Sequence, residues 1–400
     1  MSSFISTIFY LFFFIFTTPP CSPHLLAPVT KDYKSDMYTI SVYLNNPGQT
    51  TNLLLDLGAT FSWLNCKSTT YNRTVSHRFG SVVTAASVGT LALHATDGRS
   101  AGNLISLSEF VFSCSSNPSL LKGIHNARKF PGLAGLGRSN SSLAAQLSSA
   151  AHRPVIFALC LSGSPSAPGV AFFNFRGPYH FLPEIDLAKS LIYTPLLSSP
   201  SKRHIISNPL HRTDEYFIGV KSILVNGESI GINPKILTVN HNGVGGTIIS
   251  TVAPYTILEK SIYKKLTKAF VRESVALNLT VSKPVKPFSV CYLVDDIMET
   301  QVGPTVPHID LVLDGPDVKW SILGSNSMVR IVKDDFDGWC LGFVTKGKFK
   351  SMAAIVIGGH QIHDNLLQFD VGNNRLGFTN TVLAKNTMCA NFNFTTHGMK

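Results

Sequence analysis

After residue 30 the chain is a succession of short apolar and β-branched runs separated by turn residues. Tyr38 to Leu44, Val170 to Phe173 and Tyr216 to Val220 are representative, and they predict strands of an all-β fold. Helical spacing stands out in two places only. One is Ser142 to Ala151; the other is Leu258 to Phe270, with apolar residues at Leu258, Ile262, Leu266 and Phe270. The stretch from Leu197 to Arg212 is polar, basic and proline-containing, which suits a boundary between two lobes. At the N-terminus, Phe4 to Phe16 is an uncharged run of 13 followed by prolines. A membrane span needs roughly 20 apolar residues, so this run reads as the core of a secretory signal. The expected organisation is a signal over residues 1–25, an N-terminal lobe over 26–197 and a C-terminal lobe over 198–400.

The two halves echo one another. Leu53-Leu54-Leu55 runs into Asp56-Leu57-Gly58, and Leu133-Ala134-Gly135 follows later. Thr247-Ile248-Ile249 runs into Ser250-Thr251-Val252, and Val356-Ile357-Gly358 follows later. Such triplets are common, so the pattern alone leaves duplication open.

Composition narrows the class. A chain of 400 residues exceeds one ordinary core, and with 44% hydrophobic and 14% charged residues it is not a disordered or acidic-tail protein. The net charge of +11 suits polyanionic surroundings. Lysines and arginines are scattered without a stacking platform, so no nucleic-acid partner is expected. Of seven cysteines, Cys21 falls in the signal. Cys66, Cys114, Cys160, Cys291, Cys340 and Cys389 make an even set that favours disulfides in a secreted chain. No zinc-ligand spacing occurs, and neither a metal nor a cofactor is expected. His360 and His363 read as surface histidines. Sequons at Asn72, Asn140, Asn278 and Asn393 are candidate glycosylation sites.

Asp56-Leu57-Gly58-Ala59 followed by Trp63 resembles the first catalytic turn of pepsin-like aspartic proteases. Gly132 to Arg138 with Ser142-Leu143 and Gln146-Leu147 resembles the plant branch, and Gly358 to Gln361, Asn365 to Asp370 and Arg375 to Phe378 resemble its C-terminal end. Gly246 to Thr251, Asn326 to Val329 and Cys389 to Phe394 are similar to the basic 7S globulin, extracellular dermal glycoprotein and xylanase-inhibitor-like branch. The resemblance covers roughly residues 30 to 395 and implies a bilobal pepsin-like fold of two β-barrel-like lobes with few short helices.

That chemistry requires two carboxylates sharing a proton around one water. Asp56 matches the first position, but the second carries Ser250-Thr251-Val252, so no active catalytic pair is expected. Ser250 as a nucleophile would need a histidine base, and no motif ties one to it. Leu57 replaces a small hydroxyl residue that in active relatives bonds across the lobes. No tyrosine lies between Tyr71 and Tyr179 to serve as the flap tyrosine. The resemblance pairs Cys291 with Cys340; Cys66, Cys114, Cys160 and Cys389 keep three pairings open, and a Cys389 partner in the first lobe would bridge the halves.

The resemblance implies an extracellular, cell-wall protein that blocks a glycoside hydrolase, of the xyloglucan-type endoglucanase or xylanase kind. The candidate inhibitory loop is Asn380 to Met388, with Lys385 as its probe beside Leu383 and Asn386. Leu383 stands where xylanase-inhibiting relatives project a histidine, which favours the glucanase-directed kind. The alternatives are a basic 7S globulin-like storage or stress protein that binds peptide or acidic polysaccharide, and an aspartic endopeptidase with an altered site.

Overall fold

A computed structural model describes residues 24–45, 49–66, 74–79, 82–114, 129–164, 166–198, 214–346 and 351–396. Residues 1–23 of the expected signal, Cys21, Asn72 and all but Leu197 and Ser198 of the expected lobe boundary lie outside them. Leu25, assigned to the signal above, belongs to the first strand, where it is buried and pairs with Phe173 and Ala95.

Strands dominate. Tyr38–Leu44 and Val170–Phe173 fall within the strands Met37–Leu44 and Gly169–Phe173. Tyr216–Val220 does not form one strand. It breaks into Phe217–Ile218 and Val220–Val225 at Gly219, where a Cβ would lie 1.8 Å from Asp314 Oδ2. The first helix, Leu143–Ala150, is capped by Ser142, whose hydroxyl accepts from the Ala145 N–H. The second runs from Lys260 to Ser274 and buries Ile262, Leu266 and Phe270. Leu258 is not helical as the spacing predicted. It ends the strand Thr256–Leu258, because the Glu259 carboxylate accepts the Ser261 and Ile262 N–H groups and starts the helix after it.

Two lobes share one central sheet. Six antiparallel strands run in the order Leu25–Asp32, Gly169–Phe173, Ile156–Cys160, Leu366–Asp370, Arg375–Phe378 and Ile192–Leu197. At the centre of this sheet the halves join through the pairing of Ile156–Cys160 with Leu366–Asp370. On one face of this join Phe157 stacks on Phe369 at 4.7 Å and 9°, with Tyr216 edge-on to Phe157 at 5.9 Å, and all three are buried. Such ring contacts add to the burial of large apolar area.

Polar ties reinforce the join. Asp370 is fully buried and accepts from Arg176 Nη1 at 2.7 Å, Asn373 Nδ2 at 2.8 Å and Arg375 Nε at 2.9 Å. Burial pushes its pKa up, but these donors outweigh that and hold the carboxyl below the usual range. Arg138 of the first half donates to Leu197 O and to Asn374 Oδ1, each at 2.7 Å. Cys160 is bonded to Cys389, a span of 229 residues that links the halves covalently. The other two bridges are local to their halves, Cys66–Cys114 and Cys291–Cys340.

Candidate functional site

Two turns, one from each half, are built alike. Thr50–Asp56 runs parallel to Gly132–Gly135, with Asp56 opposite Gly135. The Gly58 N–H donates to Asp56 Oδ1 at 2.8 Å, and the Gly135 N–H to Ser62 Oγ at 3.2 Å. In the second half Thr247–Ile249 runs parallel to Ile355–Ile357. There the Val252 N–H donates to Ser250 Oγ at 3.3 Å, and the Gly358 N–H to Thr256 Oγ1 at 3.1 Å. In both turns the side chain that accepts the glycine N–H lies six positions after the central residue. Both glycines are required: a Cβ would sit 2.4 Å from Phe61 O at Gly135 and 2.3 Å from Tyr255 C at Gly358. The repetition of these contacts makes Ser250 the counterpart of Asp56, so the sequence echo reflects a duplicated structure.

The turns meet through Thr251. Its fully buried hydroxyl donates to Leu55 O at 2.6 Å and accepts from the Leu57 N–H at 3.3 Å. These two contacts flank Asp56 on either side and bring Ser250, the residue before Thr251, to the same junction. Leu57 returns no side-chain bond, because its apolar chain is buried in the main core. The tie is therefore one-sided. Asp56 and Ser250 are both buried, and Ser250 Oγ is also within 3.3 Å of the Ala253 N–H. Asp56 is thus held by a turn amide in the first half, and Ser250 occupies the corresponding place in the second. Trp63 is buried nearby in a short strand antiparallel to Gly132–Gly135, opposite Leu133, and its Nε1 has no hydrogen-bond partner among the described residues.

The stretch around Lys385 is a separate feature. Val382–Lys385 forms a 3-10 turn closed by Asn386 in the left-handed conformation, φ 57°, which asparagine tolerates. Gln301 splints it from another loop, its Nε2 donating to Leu383 O at 2.5 Å and to Asn386 Oδ1 at 2.6 Å. Lys385 and Asn386 are exposed, whereas Leu383 is half-buried. Asp364 anchors both ends: its carbonyl accepts the Val382 N–H at 2.7 Å and its carboxylate the Cys389 N–H at 2.8 Å. Burial raises the Asp364 pKa to about 6, against the lowering effect of the Cys389 and Gly163 N–H groups. Neither Gln301 nor Asp364 was marked by the sequence. Gln301 acts across more than eighty positions, and Asp364 carries no motif of its own.

His360 and His363 are not surface residues as expected. His363 is buried with its ring edge-on to Tyr38 at 5.6 Å, and His360 is half-buried with Nε2 donating to Met328 O at 2.9 Å. Burial pushes His360 down to about 4 and His363 well below its ordinary value, with His360 adding to the latter effect. Among the described residues, no three His, Cys, Asp or Glu side chains converge as a metal site. Asn140 and Asn278 are exposed and Asn393 is half-buried. No helix among the described residues is long and apolar enough to cross a membrane.

Comparison with known proteins agrees with this architecture. The family models described as Xylanase inhibitor N-terminal and Xylanase inhibitor C-terminal match residues 70–173 and 215–380. The chain is 42% identical to "Probable aspartic proteinase GIP1" of Glycine max, covering 94% of each chain. It is 33% identical to "Gamma conglutin 1" of Prunus dulcis, covering 95% of this chain and 92% of that one. The solved structure described as "Crystal structure of edgp" superposes with a TM-score of 0.84 at 39% identity, over 94% of this chain and all of that one. With both halves matched and the pepsin-like duplication intact, this chain belongs to the xylanase-inhibitor-like family of aspartic-protease-like proteins, whose members include gamma conglutins and basic 7S globulins.

Proposed function

We propose that this is a secreted, proteolytically inert aspartic-protease-like protein that binds and blocks a glycoside hydrolase of the plant cell wall. The observation that carries the reading is Ser250 in the place symmetric to Asp56, with its Oγ beside the turn amides. General acid–base catalysis contributes about 10²–10⁴-fold, and here its second partner is an alcohol. A fold that retains its architecture without that partner is suited to recognition. The secretory context is supported by the apolar run Phe4 to Phe16 and by three disulfides.

Lys385 supplies the means. A glycosidase cleft displays paired carboxylates, and a cation on a rigid turn can pair with them and exclude the sugar. Gln301 and Asp364 give the turn that rigidity, so little ordering entropy is lost on binding. Leu383, where a xylanase-directed relative projects a histidine, directs the choice toward a xyloglucan-type endoglucanase.

A titration against purified xyloglucan-active endoglucanases and xylanases tests this. We expect an endoglucanase to be slowed at micromolar protein, and Lys385→Glu to weaken inhibition by roughly two to three orders of magnitude, the scale of losing a buried charge pair. Gln301→Ala, which leaves Lys385 in place, should weaken it by about tenfold through loss of rigidity. Unimpaired hydrolysis by every enzyme of the panel would overturn the reading. It would favour a storage or wall protein that binds peptide or acidic polysaccharide, a reading supported by the net charge of +11 and the conglutin-named relatives.

A further inference from the structure

Far along the chain from both features, the turn between the strands Val82–Thr96 and Ser100–Cys114 meets the loop after Tyr179 and the C-terminal strand Asn393–Thr396. Between them lies a hollow of about 310 Å³ lined by Asp97, Arg99, His180, Leu182, Glu184 and Asn393 among others. Its volume is within the range of small-molecule sites, about 300–1,000 Å³. Leu182 is 54% exposed at its edge. Arg99 pairs with Glu184 across it. His180 Nδ1 is buried without a hydrogen-bond partner among the described residues, its nearest carboxylate oxygen being Glu184 Oε2 at 4.0 Å. The exposed Arg99 and Glu184 side chains offer a sugar hydroxyl a donor and an acceptor.

Asn393 stands at the mouth, in the sequon Asn393-Phe394-Thr395. Its Oδ1 accepts the Thr395 N–H at 2.9 Å, which leaves Nδ2 as the side chain's unused group, and Thr395 is exposed. Phe394 is half-buried against the aromatic cluster of Phe392, Phe172 and Tyr179, so the strand is held in place. The other sequons differ. Asn278 sits in an exposed left-handed turn, and Asn140-Ser141-Ser142 spends its hydroxyl on the helix cap.

We propose that Asn393 carries an N-linked glycan whose first sugars dock in this hollow, with hydroxyls on Arg99 and Glu184 and an apolar sugar face or N-acetyl methyl on Leu182. In attachment, Asn393 Nδ2 bonds to the anomeric carbon of a lipid-pyrophosphate-linked oligosaccharide; the lipid pyrophosphate leaves with the bonding pair, and the amide proton goes to solvent. The proposal rests on the secretory reading above, and its test separates the two.

The full chain is expressed through a eukaryotic secretory pathway that adds high-mannose glycans. The folded protein is treated with an endoglycosidase that cuts the chitobiose core, and glycopeptides are followed by mass spectrometry. We expect the Asn278 glycan to be released from the folded protein while the Asn393 glycan resists until denaturation. Arg99→Ala and Leu182→Ser should each speed release at Asn393 by about tenfold, the worth of one or two net contacts, and leave Asn278 unchanged. An unmodified Asn393 beside an occupied Asn278, or equal release at both sites, overturns the proposal alone. A protein that is not secreted and bears no glycan at any sequon overturns the secretory reading and this proposal with it.

Discussion

Replacing Cys160 and Cys389 together by alanine should lower unfolding stability by roughly 3–5 kcal/mol. The bridge closes a loop of 229 residues. Constraining a loop of that length in the unfolded chain is worth about 5 kcal/mol in the chain-entropy model, and removal of native bridges typically costs about 2–5. The consequence is more than global. Cys389 also presents its N–H to the Asp364 carboxylate, which anchors the turn bearing Lys385. Denaturant unfolding of the double variant measures the loss, and hydrogen exchange at residues 382–389 should rise with it. A loss below about 1 kcal/mol would mean that the sheet alone holds the halves together.

Phe157→Ala should cost about 3–5 kcal/mol, the range for deleting a large ring from a packed core. Phe157 lies in the strand of the first half that pairs with Leu366–Asp370 of the second, fully buried between Phe369, Tyr216 and Phe173. The cavity would open at the join of the lobes, where the backbone pairing of Ile156–Cys160 with Leu366–Asp370 limits collapse. Phe157→Leu keeps most of the volume and should lose about 1–1.5 kcal/mol. Equal midpoints for the alanine variant and the parent in a denaturant titration would show that this aromatic stack does not hold the lobes.

The elements that sequence spacing predicted were those with a local cause. Alternation placed the strands at Met37–Leu44 and Gly169–Phe173, and the Ser142 cap placed the first helix. The error at Leu258 is also local in kind: its spacing from Ile262 is helical, but its backbone pairs with Ile355 and Thr345 in the sheet. What the residues left open depended on distant contacts. Four cysteines kept three pairings until the register of Cys160 opposite Leu366 brought the C-terminal segment alongside it. His363 sits in a polar run that reads as surface, and it is buried because Tyr38, from the other half of the chain, covers it. The pairing of Asp56 with Ser250 was legible as an echo of two triplets, whereas its meaning needed the shared glycine contacts of Gly135 and Gly358. Gln301 left no signal at all, since a single glutamine in a loop has no periodicity to betray it.

A sensitive assay of acid proteolysis on a denatured protein substrate, run for the parent chain and for Asp56→Ala with and without pepstatin, bears most directly on the cleft. With an alcohol opposite Asp56, the two proteins should give the same background at every pH, and pepstatin should change neither. Cleavage by the parent that pepstatin abolishes and that disappears in Asp56→Ala would show that the cleft hydrolyses peptides despite Ser250, and would contradict the account.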